Sequence, residues 1–113
     1  MKNYIVNEEE AIANIGDRDI YLEVAYTFGN FISTYVEQLS VALTHQDLYT
    51  IKRITHSIKS NCATIGATDL RKLFADMEEL ATQNNLNALQ VTLPQALISL
   101  TELKRNIDNL SKE

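Results

Sequence analysis

The sequence predicts an all-α fold: an antiparallel, up-down four-helix bundle with a short extra helix at its N-terminus. Three observations lead there. Apolar residues recur at helical three- and four-residue spacing along nearly the whole chain, and no alternating strand pattern of any length interrupts them. Only three Gly and one Pro fall within 113 residues, so long regular elements are easy to build. The few polar links between the periodic stretches are short, which favours neighbouring helices that run antiparallel.

The elements follow in order. Glu8 to Asn14 reads as the short helix, with Ala11, Ile12 and Ile15 apolar and Gly16 as its stop. Glu8, Glu9 and Glu10 suit the first turn of a helix, where negative charge is favoured. Asp17 or Asp19 caps a long second helix whose stripe runs Ile20, Val24, Phe28, Phe31, Tyr35, Leu39 and Ala42. Gly29 inside it costs about 1 kcal/mol relative to Ala, which several turns of buried face outweigh. Asp47 caps a third helix over Leu48 to Ile65, with Leu48, Ile51, Thr55, Ile58, Cys62 and Ile65 inward and Gly66 ending it. Thr68 or Asp69 caps a fourth, with Leu70, Leu73, Phe74, Met77 and Leu80 inward. Gln83, Asn84, Asn85 and Asn87 mark a polar turn. Pro94 then lies near the first turn of a last helix striped by Leu93, Leu97, Leu100, Ile107 and Leu110. Residues 1–113 make one domain, with the bundle core over about 18–110.

Composition narrows the function. The net charge of -5 gives no basic stripe for nucleic acid. The single cysteine, Cys62, rules out an internal disulfide and a cysteine metal cluster, and it fits a reducing, cytoplasmic setting. As a small residue on the inner face, it is a core hydrophobe rather than a redox group. MKNYIVNEEE has no apolar core of a signal peptide, and no run approaches the length of a membrane span, so no direct membrane contact is expected. The length and initial Met favour a free-standing protein, with a monomer as the default. No Gly-rich phosphate loop supports ATP binding, and no haem or di-iron pattern calls for a cofactor or metal.

One segment carries chemistry. On the third helix, at about 100° per residue, His56 lies about 130° from the centre of the inner face and points to water. Its surface neighbours at three and four residues are Lys52, Arg53, Lys59 and Ser60, three basic and one small, and Ala63 is small too. An exposed neutral imidazole is a nucleophile. Lys59 and Lys52 can offset the charge of a phosphoryl group placed on it, and small residues at 60 and 63 let another protein's active site approach. The sequence puts no carboxylate on this face to orient the ring. His45, in a link without basic neighbours on a helical face, reads as inert.

The run His56-Ser57-Ile58-Lys59-Ser60-Asn61-Cys62-Ala63-Thr64-Ile65-Gly66-Ala67 resembles the signature of histidine-containing phosphotransfer (Hpt) domains: His, any residue, aliphatic, Lys, small residues, aliphatic, Gly-Ala. The similarity extends over about residues 8–110 and includes Ala42, Leu43, Asp47, Leu48, Leu70 and Met77-Glu78. It implies a phosphorelay intermediate without kinase activity of its own, phosphorylated on His56, with Lys59 as the positive side chain beside it and Ser60 at the position where smallness gives access. The implied partners are response-regulator receiver domains and a sensor histidine kinase, with Mg²⁺ on the receiver and no cofactor on this chain. Asn61 departs from the pattern, where Ser or Ala is usual, and falls near the edge of the core.

Phe28, Phe31 and Tyr35 share one stripe and are most simply core, although Phe28 or Tyr21 is an alternative border to a docking surface. Two competing readings remain. The bundle is a non-phosphorylated adaptor or dimerisation module, or it is an enzyme using His56 as a general base, which lacks a nearby nucleophile.

Overall fold

The computed structural model describes residues 2–110. Five helices run in sequence: α1 Glu8–Ile15, α2 Arg18–Thr44, α3 Leu48–Ile65, α4 Thr68–Thr82 and α5 Leu86–Asp108. Neighbours α2–α3, α3–α4 and α4–α5 pack side by side, and α5 returns against α2 to close the ring. The result is the expected antiparallel bundle, and α1 lies against α2 and α3 at one end. The 27 residues of α2, at about 1.5 Å each, span the 41 Å long axis. None of the helices among the described residues is long and apolar enough to cross a membrane.

The third helix has the predicted bounds. Asp47 accepts from the Thr50 amide and hydroxyl, and Gly66 closes the helix at φ 87°, in the left-handed region where a side chain is strained. Ile51, Thr55, Ile58, Cys62 and Ile65 are buried as expected, joined by Ile54, while Leu48 is half-buried. Asp17 is the cap of α2, accepting from the Asp19 amide.

The buried stripe of α2 differs from expectation. It runs Tyr21, Ala25, Phe28, Gly29, Ile32, Leu39 and Ala42, whereas Ile20 is 48% exposed and Phe31 53% exposed. The stripe is turned because α5 comes close: a Cβ on Gly29 would stand 3.0 Å from Ile107 Cγ2. A small residue therefore stands where the two helices touch, and Phe31 is displaced to the exposed flank. Tyr21, the alternative surface residue, is wholly buried and donates its hydroxyl to the Ile65 carbonyl at 2.7 Å. Burial pushes that phenol up to about 12.

Two helix starts also differ. Neither Thr68 nor Asp69 caps α4. Ala67 precedes it without a side-chain cap bond, and the Thr68 hydroxyl instead accepts from Asn7 Nδ2 at 2.6 Å. The last helix begins at Leu86, capped by Asn85 accepting from the Ala88 amide, so Pro94 sits inside it rather than in its first turn. Pro94 and Gln90 are both exposed, so the Gln90 carbonyl left without a helical donor can bond water.

Ahead of α1, residues 2–7 form a strap across the end of the bundle. The amides of Val6 and Asn7 both donate to the Gly66 carbonyl at 3.2 Å. Asn106 accepts from the Tyr4 amide at 2.8 Å and donates to the Lys2 carbonyl at 3.4 Å. Tyr4 and Ile5 are buried beneath it.

Candidate functional site

The outer face of α3 is an uninterrupted helical surface, and its opposite face is anchored in the core by Ile51, Ile54, Ile58, Cys62 and Ile65. His56 stands on that face with its side chain 59% exposed. Lys52, Arg53, Ser60 and Ala63 are exposed around it, and Lys59 is half-buried. The helix thus brings the sequence-predicted residues onto one surface. Ala63 lies toward the strapped end, where it lines a small hollow with Asn7, Glu10 and Arg71.

The structure corrects the expectation that no carboxylate reaches this face. Glu78, on α4, places Oε2 2.8 Å from His56 Nδ1 and Oε1 2.6 Å from Lys59 Nζ. One carboxylate therefore joins the imidazole and the ammonium. A carboxylate in this state only accepts, so His56 Nδ1 donates to it, and in the neutral imidazole the Nε2 lone pair is left for chemistry. None of the described residues hydrogen-bonds Nε2. The side chain of Glu78 is 18% exposed. Its carboxyl is held below the ordinary range chiefly by the Lys59 hydrogen bond, with His56 adding to the effect against partial desolvation.

Sequence reading missed Glu78 in its role because 22 positions separate it from His56 and no local spacing rule connects two helices. The signal present was its place beside Met77 in the resemblance, together with the inward phase of Met77, which turns the next residue toward the side of α4. Tyr49 was missed as well. Two turns before His56 on the same face, it is highly exposed, and it lines a depression of about 400 Å³ with Lys52, Arg53, His56, Ser57 and Glu78.

A second concavity, about 500 Å³, lies between α2 and α3. Ile20, Val24, Phe28, Phe31 and Tyr35 line it from α2, and Asn61 from α3. The Tyr35 ring stands 6.2 Å from that of Phe31 and 6.3 Å from that of Phe28. Asn61, the departure from the signature, is half-buried and donates to the Ser57 carbonyl at 2.9 Å, so its amide is used within α3.

The sequence profile of the Hpt domain matches residues 24–113, four-fifths of the chain. The chain belongs to the Hpt family. Searches of curated proteins and of solved structures return no match. Hpt domains are phosphotransfer carriers, and they exchange phosphoryl groups with receiver domains and histidine kinases in phosphorelays. The Hpt match begins inside α2, so the strap, α1 and the first turns of α2 lie outside it. Among the described residues of this Hpt chain, no three His, Cys, Asp or Glu side chains gather as a metal ion would need. Cys62 is wholly buried and its thiol is pushed up to about 12 by that burial, which suits a core residue. His45, the other histidine, is exposed at the end of α2, on a different groove from His56.

Proposed function

We propose that His56 is the phosphorylated residue of this Hpt domain, taking a phosphoryl group from a receiver aspartate or a kinase and passing it to a response regulator. The observation that carries this reading is the exposed imidazole on α3 with Nδ1 turned to Glu78 and Nε2 facing away. Nε2 is the nucleophile. Its lone pair attacks phosphorus, the P–O bond to the aspartyl carboxylate breaks, and that carboxylate leaves with the electron pair. The reverse step delivers the group to the next aspartate.

Lys59 is within one helical turn of the ring and Lys52 within another, and each offsets the charge of the arriving phosphoryl group. Ser60 and Ala63 leave room for a receiver active site, and Arg53 extends the cationic surface toward its carboxylates. Mg²⁺ and the acceptor aspartate belong to the receiver, so the chain needs no cofactor and has no kinase activity of its own. The exposed Ile20 and Phe31 supply a modest apolar rim for transient docking. The domain acts as a cytoplasmic monomer, where Cys62 stays reduced.

The test is transfer from a purified receiver domain carrying labelled aspartyl phosphate. Wild type takes up acid-labile, base-stable label, and His56→Gln takes up none. Equal labelling of His56→Gln overturns the assignment. An adaptor would bind the receiver equally well as wild type or His56→Ala and gain no label in either form.

A further inference from the structure

The two concavities beside α3 differ in chemistry. The depression at His56 carries Lys52 and Arg53. The groove between α2 and α3 is mainly apolar, built from Val24, Phe28, Phe31 and Tyr35, and the one charged residue lining it is the acidic Glu23. Asn61 is what α3 contributes to it. The concavities are joined through α3, because Ser57 lines the first and its carbonyl accepts from Asn61 Nδ2 at 2.9 Å. That bond fixes the amide. A carbonyl only accepts, so the nitrogen of Asn61 must face Ser57 and the oxygen must face away. None of the described residues hydrogen-bonds Asn61 Oδ1, which leaves it as an acceptor for whatever enters the groove.

We infer that Asn61 is a specificity-determining residue for the receiver domain: the groove takes an aliphatic side chain of the receiver, and Asn61 Oδ1 accepts from a nitrogen donor beside it. This deepens the reading of His56 as the phosphorylated residue and rests on it. The occupant is a receiver because the groove continues the His56 surface. Asn61 follows His56 by five residues on one helix, about 7.5 Å along the axis. A partner that covers roughly 800 Å² in a standard interface and is seated on His56 extends that far. The donor is nitrogen because the charge at the groove is negative, so a carboxylate is disfavoured there and an N–H or ammonium is welcome.

Selection comes from what happens to the oxygen when water leaves. In the free chain Asn61 is half-buried and Oδ1 can bond water. A docked receiver seals the groove. If it brings a donor, one hydrogen bond replaces another and the apolar contact is gained. If it brings only carbon, Oδ1 is left dry and unpaired, which costs more than the bond itself contributes. The aromatic wall discriminates less, since an apolar pocket accepts side chains of similar size. Asn61 is also where the chain departs from the Hpt signature, which has Ser or Ala there, and neither of those reaches as far as the amide.

The experiment uses the full chain as wild type, Asn61→Ser, Phe31→Ala and Asn30→Ser. A serine at 61 can still donate to the Ser57 carbonyl, as Ser40 and Ser57 do to the carbonyls four residues before them, so the helix is spared. Asn30→Ser makes the same exchange at an exposed position of α2 outside the groove and sets the baseline. Labelling of histidine is followed from a panel of receiver domains carrying aspartyl phosphate, and from phosphoramidate, a small donor that needs no docking. Expected for Asn61→Ser is a rise of roughly fivefold to tenfold in KM for the receiver that wild type prefers, the worth of one interfacial hydrogen bond. Its kcat should hold, poorly used receivers should change little, and the preference among receivers should narrow. Phe31→Ala should raise KM for every receiver. Phosphoramidate should label Asn61→Ser as fast as wild type. An unchanged KM for the preferred receiver, an equal rise for all receivers, or no effect of Phe31→Ala overturns the inference while leaving His56 in place. Absence of histidine label in wild type from either donor overturns the assignment of His56 itself.

Discussion

Gly66 and Gly16 offer a matched pair of substitutions in which one difference isolates the N-terminal strap. Both close helices in the left-handed region, at φ 87° and 98°. Alanine at either position incurs the same backbone penalty, about 1 kcal/mol. Their surroundings differ. A Cβ on Gly16 meets nothing within 4 Å, whereas a Cβ on Gly66 would stand 2.7 Å from the Asn7 carbonyl oxygen and 2.8 Å from its carbon. That neighbour is backbone, so the strap must lift. Lifting it stretches two hydrogen bonds from Val6 and Asn7 to the Gly66 carbonyl, worth about 1 kcal/mol each. Gly66→Ala should therefore cost about 3 kcal/mol and Gly16→Ala about 1. In a domain of this size that corresponds to a fall in Tm of roughly 10–15 °C against roughly 4 °C. Thermal unfolding followed by circular dichroism measures both. Equal losses in the two variants would refute the reasoning, because they would mean that the strap contributes nothing at Gly66. His56 labelling, assayed well below the lowered Tm, should survive in both, since neither glycine touches the histidine.

Two more outcomes follow from buried and paired ionisable groups. Cys62 is wholly buried with its thiol pushed up to about 12, so a thiol reagent should react only as fast as the protein opens. Rapid modification of the native protein at neutral pH would place that side chain on the surface. The second concerns pH. Asp47 is held below its ordinary 3.8 by the Thr50 hydroxyl and amide, and Glu78 below its ordinary 4.5 chiefly by Lys59. A lowered folded value means that the unfolded chain takes up protons first. The stabilisation is thus complete above the ordinary carboxylate range and is lost as pH falls through the folded values. Urea unfolding from pH 7 to pH 3 should show a decline that begins near the ordinary carboxylate values and is shallower in Glu78→Gln. Parallel curves for wild type and variant would contradict the Lys59–Glu78 pairing.

Much of this architecture was legible along the chain because it depends on neighbours in sequence. The bounds of α3 follow from Asp47, which caps, and Gly66, which stops, and the exposure of His56 follows from its angle relative to Ile51, Ile58 and Cys62. The element starts that went astray were those in which a distant segment intervened. Thr68 does not cap α4 because the strap's Asn7 occupies its hydroxyl. Pro94 is tolerated deep in α5 because that face of the helix meets solvent. Phe31 is on the surface because α5 comes close at Gly29, an approach set by Ile107 at the other end of the sequence.

By itself the sequence determined the helices, the all-α bundle, the exposed histidine and the lysines around it, because helical periodicity converts spacing of three and four residues directly into shared faces. Tertiary structure decided which side chain orients that histidine. Glu78 reaches His56 and Lys59 only because α4 packs along α3, and the rotation of one helix against another is chosen by the fit of whole packed surfaces, which no local pattern encodes.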